Sequence, residues 1–154
     1  MPAPPQFAPE VAADEWLNSE PLTLSSLRGR IVVLEAFQML CPGCVHHGLP
    51  QVQRIAATFP AADVQVIGLH SVFEHHSAQG RRDALEAFLH EYRINFPVAI
   101  DRQSERLPLT MAAYGMQGTP TLVLIDREGR RRAQHFGAVA DLELGAEIGE
   151  LLAE

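Results

Sequence analysis

Two cysteines separated by two residues, Cys41-Pro42-Gly43-Cys44, lie where an apolar run gives way to a helical pattern. A strand that ends in Cys-x-x-Cys and opens a helix puts its first thiol at the helix N-terminus. There the unpaired backbone N–H groups and the helix dipole favour thiolate over thiol. The second thiol falls one turn further along the same face, within bonding reach of the first. Such a pair can store and release two electrons, so thiol–disulfide exchange is the leading expectation. A structural zinc site would need four ligands, and the chain holds no other cysteine. No metal or cofactor is therefore expected.

At 154 residues the chain is long enough for one domain with its own hydrophobic core, which needs no disulfide staple. The expected division is an extended arm over 1–14, with four prolines before residue 10, and a single domain over 15–154. A net charge of -7 argues against a general nucleic-acid binder, because no extended basic surface is available to neutralise phosphates. The run from Arg127 to Arg132 is broken by Glu128 and Gly129 and reads as a charged hairpin turn. No stretch reaches the roughly 20 apolar residues that span a bilayer, and the opening residues lack the basic and apolar regions of a signal peptide. A cytoplasmic location is the expectation.

Strands and helices are expected to alternate along the chain. Glu15 to Leu27 reads as a capping segment. Ile31 to Phe37 is a continuous apolar run, the mark of a strand buried on both faces, interrupted only by Glu35. Helical spacing from Cys44 to Phe59 is stopped by Pro60. A strand over Val64–Leu69 completes a βαβ unit, and a polar connection from Ser71 to Gly80 follows. Then come a helix over Asp83–Tyr92, a strand over Phe96–Asp101 and a helix over Leu107–Tyr114. Gly118-Thr119-Pro120-Thr121 introduces a strand over Leu122–Ile125, which turns at Asp126–Gly129 into an antiparallel strand over Arg131–Phe136. Asp141 is placed to cap a last helix ending at Leu152. This order gives an α/β sandwich with a mixed sheet.

With Cys41-Pro42-Gly43-Cys44 after the first long strand and Gly118-Thr119-Pro120-Thr121 before the hairpin, the chain resembles the thioredoxin fold, a three-layer α/β/α sandwich. More narrowly it resembles the TlpA/ResA-type thiol–disulfide oxidoreductases of the redoxin (AhpC/TSA) group. That narrower likeness rests on Leu22-Thr23-Leu24-Ser25-Ser26-Leu27-Arg28-Gly29-Arg30, on Glu35, on the insertion after the second strand and on Tyr114-Gly115-Met116-Gln117-Gly118-Thr119-Pro120. The resemblance implies that Cys41 is the exposed nucleophile and Cys44 the buried resolving thiol. It also makes Pro120 a cis-proline facing the disulfide, with Thr119 offering backbone groups to an extended substrate. Glu35 becomes a buried acid exchanging a proton with Cys44. The implied partners are protein disulfides or dithiols and an upstream thiol donor or acceptor, with reduction as the expected direction. The chain departs from the family just before the first cysteine, where Leu40 replaces an aromatic residue and Gln38-Met39 a Trp-Ala style run.

Two other functions compete. A peroxiredoxin-type peroxidase needs Pro and Thr at set distances before its cysteine, where this chain has Leu34 and Gln38. A non-enzymatic redox-sensing module would use the Ser71–Gly80 segment to contact a partner. The seven histidines show no metal-ligand spacing and are read as surface or rim residues, with His46 or His47 candidates for tuning the Cys41 thiolate.

Overall fold

The computed structural model describes residues 4–154. Six strands form one sheet: β1 (Ala13–Leu17), β2 (Ile31–Phe37), β3 (Val64–His70), β4 (Val98–Asp101), β5 (Thr121–Ile125) and β6 (Arg131–Phe136). Their spatial order is β1-β4-β3-β2-β5-β6. The β2–β3 and β3–β4 pairs are parallel, while β1, β5 and β6 pair antiparallel with their neighbours. The result is the mixed-sheet α/β sandwich of the thioredoxin fold.

Strand β2 lies at the centre, and all seven of its residues are buried. Alternation of side chains divides it between two cores. Ile31, Val33 and Phe37 face α1 (Leu49–Thr58), α3 (Arg82–Glu91) and α5 (Asp141–Ala153) through Leu49, Val52, Ile55, Leu85, Leu89, Leu144 and Ile148. Val32, Leu34 and Ala36 face Met111 of α4 (Leu109–Ala113), together with Trp16, Leu24, Leu27 and Tyr114. Glu35 shares the side of Val33 and Phe37, so the strand's one charged residue points toward the helix that follows the cysteines.

That helix begins at Pro42, a residue suited to a first helical position because its missing N–H would be unpaired there anyway. It passes through a wide π-helical turn over Cys44–Gly48 before settling into α1. α1 ends at Thr58 because Phe59 precedes a proline and takes up extended backbone, φ -113° and ψ 138°.

Several elements differ from the sequence expectation. Part of the segment read as a cap, Glu15 to Leu17, belongs to β1, whose Trp16 and Leu17 pair with Ala99 and Val98. The connection from Ser71 to Gly80 contains a short helix, α2 (His76–Gln79). Asp141 is not the cap of α5. Ala140 holds that position, and the Asp141 carboxylate instead accepts hydrogen bonds from Gln51 Nε2 at 2.9 Å and from the Arg54 guanidinium at 3.0 Å. Residues of the arm also meet the hairpin: Arg131 N–H donates to Gln6 O and Ala8 N–H to Gly129 O, both at 2.8 Å. Met1, Pro2 and Ala3, expected at the start of that arm, lie outside the described residues.

Candidate active site

Cys41 ends the loop that leaves β2 and stands immediately before the first helical residue, half-buried, while Cys44 is completely buried beneath it. Both thiols are free. The Cys44 N–H donates to Cys41 Sγ at 3.3 Å, as expected of a sulfur set over the open end of a helix. On its other side the Cys41 thiol donates to Thr119 O at 3.4 Å. The Thr119–Pro120 peptide bond is cis.

Two glycines let this loop approach the helix. A Cβ on Gly43 would stand 3.2 Å from Pro120 Cδ, and one on Gly48 would stand 3.0 Å from Pro120 Cβ and inside contact distance of Glu35 Oε1. The Pro120 ring therefore fits over a side-chain-free strip of helix, with the Glu35 carboxyl behind it.

Neither carboxyl oxygen of Glu35 has a hydrogen-bond partner among the described residues. Burial pushes its pKa well above the usual carboxylate range, and negative charge on Cys41 pushes it further. Glu35 therefore holds its proton to higher pH than an ordinary carboxyl. Burial likewise raises Cys44 far above an ordinary thiol, with the Cys41 side chain adding to it. The neighbouring Gln38 backbone and Thr119 side chain partly oppose that rise. Cys41, Cys44, Glu35, Thr119 and Pro120, all named from sequence, thus meet at one end of β2.

Gln38 is the residue that sequence reasoning passed over. The sequence marks it only as a departure from the family's run before Cys41 and as a position unsuited to peroxide chemistry, yet it is 1% exposed and bonded on every side. Its Nε2 donates to Thr119 Oγ1 at 3.2 Å, and its Oε1 accepts from Phe73 N–H at 3.2 Å and from Gln79 Nε2 at 3.0 Å. A polar residue directly after a buried strand was the available signal.

The histidines separate into different roles. His70 is a buried residue, contrary to the rim position expected, and its Nε2 accepts from Met39 N–H at 3.4 Å. Burial lowers its pKa to about 4, so the ring is neutral. His46 is exposed, and His47 places a ring nitrogen 3.1 Å from Val139 O. Among the described residues, the group able to hold a metal ion is His135, Glu143 and Glu147, whose ligand atoms lie within 4.8 Å of one another. These residues sit on β6 and α5, and none of them belongs to the dithiol. His135 is already paired with Glu147 at 2.8 Å.

A model of the AhpC/TSA family matches residues 4–133. The chain belongs to the AhpC/TSA family. Its fold and dithiol make it a TlpA/ResA-type thiol–disulfide oxidoreductase. It is similar to a solved thioredoxin-like superfamily protein at 56% identity and TM-score 0.95, with 97% of each chain covered. A solved thiol-disulfide isomerase from Corynebacterium glutamicum is 50% identical at TM-score 0.91, over 96% of this chain and 97% of that one. The thiol-disulfide oxidoreductase ResA of Halalkalibacterium halodurans is 25% identical over 138 residues, 90% of this chain and 71% of its own length. ResA of Bacillus thuringiensis is 26% identical over 121 residues, 79% of this chain and 63% of its own length. The chain thus spans roughly two thirds of these two relatives' lengths.

Proposed function

We propose that this oxidoreductase works as a reductase of protein disulfides, with Cys41 as nucleophile, Cys44 as resolving thiol and Glu35 as the acid–base group between them. The observation that carries this reading is the Cys41 sulfur set between the Cys44 N–H and the Thr119 carbonyl, with its twin buried one turn below.

In the first half-reaction Cys41 thiolate attacks one sulfur of a substrate disulfide, and the other sulfur leaves as a thiolate that takes a proton from water. Cys44 then gives up its proton and attacks Cys41 Sγ. This closes the Cys41–Cys44 disulfide and releases the second substrate thiol. The substrate gains two electrons, the enzyme loses two, and an upstream dithiol restores it.

Charge on Cys41 is one of the two causes that raise the Glu35 pKa. Forming the mixed disulfide removes that charge, so Glu35 ionises more readily at the moment when Cys44 needs a base. Thr119 would present its backbone to an extended substrate beside the cis-proline, with exposed Leu40 before Cys41 and exposed Phe136 against Gly118 as the apolar rim. The peroxidase alternative is disfavoured, because Leu34 is buried on the opposite side of the sheet and Gln38 is fully engaged. A cytoplasmic site of action belongs to the same reading, with recovery of activity in the soluble cell fraction as its check.

Reduction of insulin disulfides by dithiothreitol should be accelerated by the wild type and not by Cys41→Ser. A wild-type rate no faster than dithiothreitol alone would overturn the proposal.

A further inference from the structure

Resting on the dithiol-exchange reading, we propose that Gln38 and Gln79 form a buried amide relay through which the segment over residues 71–80 positions the Leu40–Cys41 loop and the Thr119 hydroxyl for exchange.

α2 is exposed at His76, Ser77 and Ala78, yet Gln79 is only 1% exposed. Its Oε1 accepts from Leu40 N–H at 3.0 Å, and its Nε2 donates to Glu74 O at 2.8 Å and to Gln38 Oε1 at 3.0 Å. Backbone groups fix both amide orientations. Leu40 N–H and Phe73 N–H can only donate, and Glu74 C=O can only accept, so each Gln oxygen and nitrogen has one consistent assignment. Gln38 Nε2 must then face Thr119 Oγ1, which accepts from it. One continuous path therefore runs from Gln79 through Gln38 to Thr119, whose carbonyl accepts from the Cys41 thiol, and a branch runs from Gln79 to the residue before Cys41.

A buried amide is costly to desolvate unless its partners are present, so this path favours a single arrangement of loop, insertion and cis-proline segment. Neither glutamine touches a reacting sulfur through its side chain. Both are positioning residues.

The test is a double-mutant cycle of Gln38→Met and Thr119→Val, with Gln79→Met as a third variant and Ser77→Ala as a control on exposed α2. The main readout is the equilibrium constant of the Cys41/Cys44 couple against glutathione, measured on variants with wild-type circular dichroism. Gln38→Met and Gln79→Met should each shift this constant by about tenfold, the scale of one lost buried hydrogen bond. Ser77→Ala should leave it unchanged. Gln38→Met combined with Thr119→Val should shift it by less than the product of the single effects, since both cut the same path. Shifts under twofold in the folded glutamine variants, or strictly multiplicative effects, would overturn the relay. If Gln38→Met does not fold, Gln79→Met with Thr119→Val completes an equivalent cycle. The equilibrium constant needs no turnover, so an inactive wild type in the insulin assay would count against the reductase reading alone.

Discussion

At Glu35, burial and the neighbouring Cys41 charge both oppose ionisation, and the sign of the resulting pH dependence is fixed. The unfolded carboxyl releases its proton near its ordinary value, while the folded one holds it to higher pH. Above the unfolded pKa, then, the unfolded state is the one that gains from ionising, and stability falls as pH rises toward the folded pKa. Glu35→Gln removes this penalty. Its melting temperature should exceed that of the wild type at pH 8 and converge with it at pH 4, as read by thermal denaturation. The same variant should resolve the mixed disulfide roughly 10²-fold more slowly in stopped-flow kinetics, the lower end of what a positioned acid–base group supplies. A faster or unchanged resolution step would remove Glu35 from the mechanism while leaving the stability prediction intact. Gain in stability with loss of rate is the signature of a group kept for chemistry.

At the level of elements, the helix after the cysteines depends on where it lacks side chains. Gly48→Ala would press a methyl against Glu35 and Pro120, so we expect a loss of about 1–3 kcal/mol by denaturant titration and reduced insulin turnover. Gly145→Ala in α5 meets nothing within 4 Å and should stabilise by up to about 1 kcal/mol through helix propensity, with turnover unchanged. Such contrasts are invisible in sequence, where both residues are glycines in helical stretches. The central strands were legible because Ile31–Phe37 is apolar except at Glu35 and Leu122–Ile125 is apolar throughout. The order of elements followed from the alternation of patterns. Strand β1 was not legible, since Asp14 and Glu15 break any alternation and only Trp16 and Leu17 are buried. The dithiol, Glu35 and the Thr119–Pro120 pair were found because motif and context coincide. Gln38 and Gln79 escaped because an amide's role depends on partners 35 to 81 residues away, which no local pattern encodes.

For the whole molecule, His70 makes stability sensitive to acid. Its folded pKa of about 4 lies below the ordinary value of 6.5, so the unfolded state takes up the proton first as pH falls. The contribution is complete above pH 6.5 and disappears as pH drops to about 4, a loss of about 3 kcal/mol. His70→Gln keeps an acceptor available for the Met39 N–H but does not titrate. Its unfolding free energy should be correspondingly flatter than that of the wild type between pH 6.5 and 4 in urea titrations. The strip of helix at Gly43 and Gly48 that receives Pro120 has a further consequence for encounters. Loop and helix are already seated against each other before any client docks, so little freedom remains to be lost on contact. Discrimination among clients should then show in how long each complex lasts, with collision rates nearly alike.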